Sequence, residues 1–340
     1  MVQPLISCAT STTSTKCCKL RTSSALYKLQ QLFNIFNIEN LISPMIRQPI
    51  FIIITALIIS GCNNSGTKTM SPQTTTNEIK PDSISGYASV NGLKMYYEIH
   101  GTGAPLVLIH GGGSTFETTF GRVYHDFAKN RKVIVVDMQA HGHTADIDRP
   151  LSFQQDADDI AELLKQLKID KADIFGFSNG ASTTLQFAIR HPQMANRIIV
   201  ASTFYKKAGA PGWFWDMMSK PTFEGMPQPY KDAFLKINPD TNALHRMYER
   251  DVARMQSFAD IADEQMRSIK APAFIIIGDK DVTTLEHIGE MHRLLSNSRV
   301  AIIPGGHGEY IGELTMPQDS ILIGATVSMI NKFLNEPVKE

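Results

Sequence analysis

The chain has 340 residues, 43% of them apolar and 19% charged, which is enough apolar material for a large buried core. Thirty-three basic residues balance thirty-three acidic ones, and no basic patch stands out, so nucleic acid is excluded as an expected partner. All four cysteines (Cys8, Cys17, Cys18, Cys62) lie at or before position 62, which leaves the rest without a disulfide, a thiolate nucleophile or a cysteine metal site.

Residues 1–44 are rich in Ser, Thr, Asn and Gln and show little periodicity. They read as an upstream extension or a disordered segment. A second pattern starts at Met45: Arg47, then an apolar run from Ile50 to Ile59, then Ser60-Gly61-Cys62. A basic residue, a short apolar core and small residues before a cut site make a secretory signal over residues 45–61. The run is too short to span a bilayer comfortably. Ile59-Ser60-Gly61-Cys62 resembles a bacterial lipobox, which implies that Cys62 is acylated and becomes the mature N-terminus. The expected location is then the bacterial cell envelope, lipid-anchored to a membrane and facing away from the cytoplasm. Residues 62–82 are polar, rich in Thr, Ser, Asn and Pro, and read as a flexible tether.

From residue 83 to 340 the texture is that of one α/β domain. Asn91-Gly92 between two alternating runs, Ser83–Val90 and Leu93–His100, predicts a hairpin. Six short apolar runs follow: Leu106–His110, Val133–Asp137, Asp173–Phe177, Ile198–Ser202, Phe274–Gly278 and Val300–Pro304. Continuous runs of that length suit strands buried on both faces, as in a parallel sheet. Helical spacing separates them. Ser152-Phe153-Gln154-Gln155 has the form of a capping box before Ile160, Leu163, Leu164 and Leu167. Asn179–Arg190, Leu285–Leu295 and Ile321–Leu334 read as three further helices. Strands alternating with helices after an opening hairpin predict a mostly parallel α/β sheet. The stretch from about 204 to 270 holds no clear strand and reads as a helical cap. Its Trp213, Phe214, Trp215, Met217, Met218, Phe223 and Met226 suggest an apolar pocket wall.

Three glycine-rich segments sit just after predicted strands. Gly176-Phe177-Ser178-Asn179-Gly180 is a G-x-S-x-G motif between a strand and a helix, a context that lifts the serine oxygen above the sheet. His110-Gly111-Gly112-Gly113 lets the backbone approach a substrate closely. Negative charge forming on a carbonyl oxygen needs N–H donors there, and the candidates are the amides of Asn179 and Gly112, with Gly113 as a substitute for Gly112. Pro304-Gly305-Gly306-His307-Gly308 puts a histidine on a loop at the same sheet edge; His287 and His292 fall within a helix. His141 and His143 lack a third ligand at metal spacing, so no metal is expected.

These motifs, in this order, resemble the α/β-hydrolase superfamily from about Gly86 onward. Asp137-Met138-Gln139-Ala140-His141-Gly142-His143 is similar to that superfamily's D-x-x-G-H-G segment, with Ala140 where glycine is usual. The resemblance implies an α/β-hydrolase fold and a triad in the order Ser178, acid, His307, with the acid at Asp281 of Gly278-Asp279-Lys280-Asp281 and Asp279 as the rival. Relatives that take the acid from the preceding strand offer no parallel, because that strand ends Ala201-Ser202-Thr203. Ser178 would attack a carbonyl, His307 would take its proton, and Asp281 would orient the imidazole, with no cofactor. The expected substrate is a small, partly apolar ester. Amidase or iminopeptidase, thioesterase, carbon–carbon hydrolase and perhydrolase chemistry use the same triad, and a non-catalytic surface binding module is the reading from another class.

Overall fold

The computed structural model describes residues 83–337. The expectations for residues 1–44, the signal at 45–61, Cys62 and most of the tether lie outside them. The hairpin forms as read: β1 (Ile84–Val90) and β2 (Leu93–His100) pair in register from Val90↔Leu93 to Ile84↔Ile99. Asn91 and Gly92 between them have φ of 47° and 85°, the two positive values that a two-residue turn of matching twist requires. The six apolar runs become β3 (Ala104–Ile109), β4 (Arg131–Asp137), β5 (Ala172–Phe177), β6 (Ala195–Ala201), β7 (Ala273–Gly278) and β8 (Ser298–Ile303). One eight-stranded sheet holds them in the order β1-β2-β4-β3-β5-β6-β7-β8. β2 is antiparallel to both neighbours and every pair beyond it is parallel.

Alternate residues of each strand feed two separate cores. Val107, Ile109, Ile134, Val136 and Ile174 face one layer, while Leu106, Leu108, Val133, Val135 and Phe175 face the other. Both sets are fully buried, which is why the strands read as unbroken apolar runs. Two short helices that the sequence reading did not anticipate, α1 (Phe116–Phe120) and α2 (Tyr124–Ala128), join β3 to β4 and seal the second core. α3 (Phe153–Gln166) and α4 (Asn179–Arg190) cover the first. Only half of the capping box forms at α3: Ser152 Oγ accepts from Gln155 N at 3.1 Å, but the Gln155 amide turns to the buried Asp159 at 3.0 Å. A buried carboxylate has the stronger claim on a donor.

The stretch between β6 and β7 is helical and strand-free. It contains α5 (Gly212–Ser219), α6 (Gln228–Ile237), α7 (Thr241–Gln256) and α8 (Asp263–Ser268), with two single 3₁₀ turns at Lys207–Gly209 and Phe223–Gly225. After β7 come α9 (Leu285–Leu294), β8 and α10 (Ser320–Asn335). Among the described residues no helix is long and apolar enough to cross a membrane.

Candidate active site

β5 ends in a turn that only glycines permit on either side of Ser178. A Cβ on Gly176 would lie 2.0 Å from Gly180 O, and a Cβ on Gly180 would lie 2.1 Å from Ile109 O. Ser178 itself is held at φ 54°, ψ −119°, a conformation that costs a residue with a Cβ on the order of 1–2 kcal/mol. Its N–H donates to Ala201 O at 2.9 Å, and its carbonyl accepts from Ala181 and Ser182 at the head of α4. The neighbouring strand and the helix therefore over-determine the turn. The side chain is left at the carboxyl edge of the sheet.

The loop after β8 brings His307 to that edge. Its Nε2 is 3.1 Å from Ser178 Oγ and its Nδ1 is 2.8 Å from Asp281 Oδ1. With Nδ1 donating to the carboxylate, Nε2 is the free acceptor for the serine hydroxyl. Burial works against a charge on His307, but Asp281 outweighs it and raises the imidazole above histidine's ordinary value. Burial would likewise raise the Asp281 carboxyl, and His307, Ser202 and the Val282 N–H together pull it below the usual range. Asp281 Oδ1 also accepts from Val282 N at 2.6 Å, and Oδ2 accepts from Ser202 Oγ at 2.5 Å. The rival Asp279 lies elsewhere: its Oδ1 accepts from Gly305 N at 2.8 Å and so braces the loop that carries the histidine.

Ser202 and Tyr310 were not anticipated. Ser202 has one proton and gives it to Asp281, so the Tyr310 hydroxyl, 2.6 Å away, donates to Ser202. The end of β6 carries no acid but supplies a hydroxyl to one. Ser202 has φ of 54°, like Ser178 at the end of the adjacent strand.

Gly112 and Asn179 face each other across the site: a Cβ on Gly112 would lie 2.3 Å from Asn179 Nδ2. Among the described residues nothing accepts from the Gly112 amide. The Asn179 amide, at the start of α4, has no partner within its helix. The Gly113 amide is committed elsewhere: it donates to Asp251 Oδ2 at 2.5 Å, which removes it as the substitute donor. Met138 N donates to His110 Nε2 at 3.0 Å, so His110 Nδ1 carries the proton and gives it to Gly111 O at 2.7 Å. Burial, with the neighbouring His141, lowers His110 to about 4 and keeps it neutral.

Asp251 is the largest omission of the sequence reading. It projects from α7 in the cap and binds Gly113, His141 Nε2 at 2.9 Å, and Arg254. Burial opposes its ionisation, but Arg254 and His141 overcome that and hold it well below the usual carboxylate range. His141 donates from Nδ1 to Gln139 O at 2.8 Å, so both ring nitrogens face acceptors and the imidazole is cationic. Arg254 also meets Asp156 at 2.9 Å; burial raises that carboxyl to about 6 despite the guanidinium. His143 binds Asp137 at 2.8 Å, so the two histidines of this segment serve different carboxylates. Ala140 sits at φ 68°, which explains why glycine is usual there.

A cavity of about 650 Å³ lies between cap and sheet, with Ser178 and His307 in its wall beside Gly112 and Asn179. Phe214, Met217, Met218 and Met226 line it as expected. Three residues of the expected wall do not. Trp213 points to solvent, Trp215 packs on Phe204 and Phe258, and Phe223 stacks on His245. Cap residues divide between holding the cap together and facing the cavity, and sequence alone does not separate the two.

Residues 106–319, well over half of the chain, match the family described as "Alpha/beta hydrolase family", and the chain belongs to that family. It is similar to the human "Serine hydrolase BPHL", 28% identical over 240 residues that make up 65% of this chain and 79% of that protein. It is 30% identical over 164 residues to the "2-hydroxymuconate semialdehyde hydrolase" of Pseudomonas sp. (strain CF600), covering 46% of this chain and about half, 51%, of that protein. Among solved structures, the enol-lactonase from Burkholderia xenovorans LB400 superposes with a TM-score of 0.58 at 23% identity, over 74% of this chain and 100% of that one. Family and relatives define a hydrolase; the structural likeness, at that identity, defines the fold.

Proposed function

We propose that the protein is a serine hydrolase that cleaves a small, partly apolar ester through an acyl-enzyme. Ser178 is the nucleophile, His307 the general base and then acid, and Asp281 the group that fixes the imidazole and stabilises its cation. The amides of Gly112 and Asn179 form the oxyanion hole, and no cofactor takes part. The observation that carries this reading is the hydrogen-bonded chain from Ser178 Oγ through His307 to Asp281 beside an apolar cavity. A substrate without a free carboxylate is favoured by the lining. Among the described residues the only lysine or arginine around the cavity is Lys220, which is exposed at the rim, and the Asp251 charge is absorbed by Arg254 and His141. A substrate carrying a free carboxylate would find no counter-ion inside.

The test is labelling by a fluorophosphonate probe beside turnover of p-nitrophenyl esters of increasing chain length, with amide and thioester analogues in parallel. Wild type should label and hydrolyse esters, and Ser178→Ala should do neither. Turnover near wild type in the alanine variant, or a thioester or amide preferred over every ester, would overturn the proposal. We also propose that the mature chain begins at a lipid-bearing Cys62 on a bacterial membrane. Arg47, the Ile50–Ile59 run and Ile59-Ser60-Gly61-Cys62 support this. The intact mass of the protein made in a bacterial host decides it: an unmodified chain starting at Met1 would refute the anchor.

A further inference from the structure

Helix α5 has an unusual surface. Its eight residues, Gly212–Ser219, include none that is buried. Phe214, Trp215 and Met218 lie half-covered against a small core of Phe204, Met255 and Phe258. Trp213 and Met217, four residues apart and so on one face of the helix, are 58% and 49% exposed. Lys220, which caps the end of the helix, is exposed as well. An exposed tryptophan and methionine on one helical face is a placement that water alone does not favour.

The position matters as much as the composition. Met217, Lys220, Thr222 and Gly225 form part of the wall of the 650 Å³ cavity and are exposed, so this face is the rim of the cavity. Lys207 is exposed too, with its ammonium 5.6 Å from the Trp215 ring. An indole and a methionine exposed at the cavity rim match the headgroup boundary of a bilayer, where an indole is at home; the flanking Lys207 and Lys220 are balanced by the exposed Asp216 and Glu224, so the match is apolar rather than electrostatic.

We propose that α5 docks on a lipid membrane, with Trp213 and Met217 in the headgroup–acyl boundary, and that the cavity takes its ester substrate from that membrane. The proposal rests on the reading of the site as an esterase with an apolar substrate. The chain outside the described residues supplies the reach. Twenty residues lie between Cys62 and Ser83. A chain of that length reaches at most about 70 Å. An anchored domain would therefore stay within range of the surface, so one weakly inserting helix suffices.

The chain has only two tryptophans, Trp213 and Trp215, and both lie on this helix, so its emission reports on α5 and nothing else. The experiment uses the full-length protein purified from bacterial membranes and reconstituted into vesicles of phosphatidylcholine mixed with phosphatidylglycerol. Brominated acyl chains in the same vesicles quench only an indole that enters the bilayer. Trp215→Phe, which leaves Trp213 as the reporter, should be strongly quenched. Trp213→Asp, which leaves the packed Trp215, should be quenched little. Trp213→Asp should also hydrolyse a vesicle-embedded long-chain ester about tenfold more slowly, the loss expected when roughly half an indole no longer leaves water. Its turnover of a soluble short-chain ester should be unchanged, because Trp213 does not line the cavity. Absent quenching in Trp215→Phe, equal quenching of both variants, or equal loss on both esters would overturn the proposal. Docking without fluorophosphonate labelling would instead overturn the esterase reading and leave docking in place.

Discussion

Asp251→Asn separates two roles that one carboxylate plays at once. The side chain is 12% exposed; Oδ2 serves Gly113 and His141, and Oδ1 serves Arg254. An amide of the same shape keeps one acceptor but removes the charge that holds two cations. Breaking a buried ion pair by removing one partner costs about 3–5 kcal/mol. Arg254 keeps Asp156, and His141 escapes by losing its proton, so the lower end, about 3 kcal/mol, is expected here. For a domain of this size that is a fall in Tm of roughly 6–12 °C. The catalytic effect has a different origin. Asp251 fixes the Gly113 N–H, and through that peptide the direction in which the adjacent Gly112 N–H points. Losing an oxyanion donor outright costs about 10²–10³ in kcat. Mis-aiming one should cost on the order of 10 to 100, with KM little changed. Steady-state kinetics on a short p-nitrophenyl ester, run well below the new Tm, measures this, with thermal unfolding alongside. Arg254→Met is the control, since it perturbs the same network without touching Gly113. If Asp251→Asn lowers Tm but leaves kcat within about twofold of wild type, the carboxylate is structural and the cap does not shape the oxyanion loop.

Two further outcomes follow from the same geometry. Asp281→Asn should lower kcat by about 10⁴, because an amide cannot stabilise the imidazolium, whereas Asp279→Asn should cost far less, since it loses only a brace on Gly305; kinetics on both variants checks the ranking, and the reverse order would move the acid. The pH profile should reflect the raised His307: the active form is the neutral ring, so kcat/KM falls as pH drops through a midpoint above histidine's ordinary value, and in Asp281→Asn the midpoint of the residual activity should move down because only Glu313 then opposes burial. A midpoint below histidine's ordinary value in the wild type would contradict the Asp281–His307 pairing.

The central strands β3 to β7 were legible because they are buried on both faces, so Val133–Asp137 or Phe274–Gly278 stands out as an unbroken apolar run, whereas β8 is an edge strand that stays half-exposed although its run reads the same way. The turn at Ser178 was legible because its sterics exclude side chains at Gly176 and Gly180 and so leave two glycines at fixed spacing around the serine. The support around the site left no such mark. Ser202 meets Asp281 across 79 residues, and Asp251 meets Gly113 across 138. Nothing local distinguishes them from other polar residues at a strand end or on a helix. The cap was read by composition, which predicted its helical character. It could not tell Met218, which faces the cavity, from Trp215, which packs behind it. One weak signal existed: Asp251 and Arg254 lie three apart on the α7 face that also carries Tyr248, Val252 and Met255. A charged pair embedded in an apolar face indicates a buried partner elsewhere.

Ser202 sets stability and turnover against each other at one position. Its left-handed backbone would suit glycine, and Ser202→Gly would relieve about 1 kcal/mol of strain. The same change would strip Asp281 of a hydroxyl donor and leave Tyr310 only the long contact to the Ile276 carbonyl at 3.4 Å. A library screened only for survival at high temperature would therefore drift toward glycine at 202, and one screened for hydrolysis would return to serine. The position where the two screens part company marks how far the rigidity of this sheet edge has been spent on chemistry.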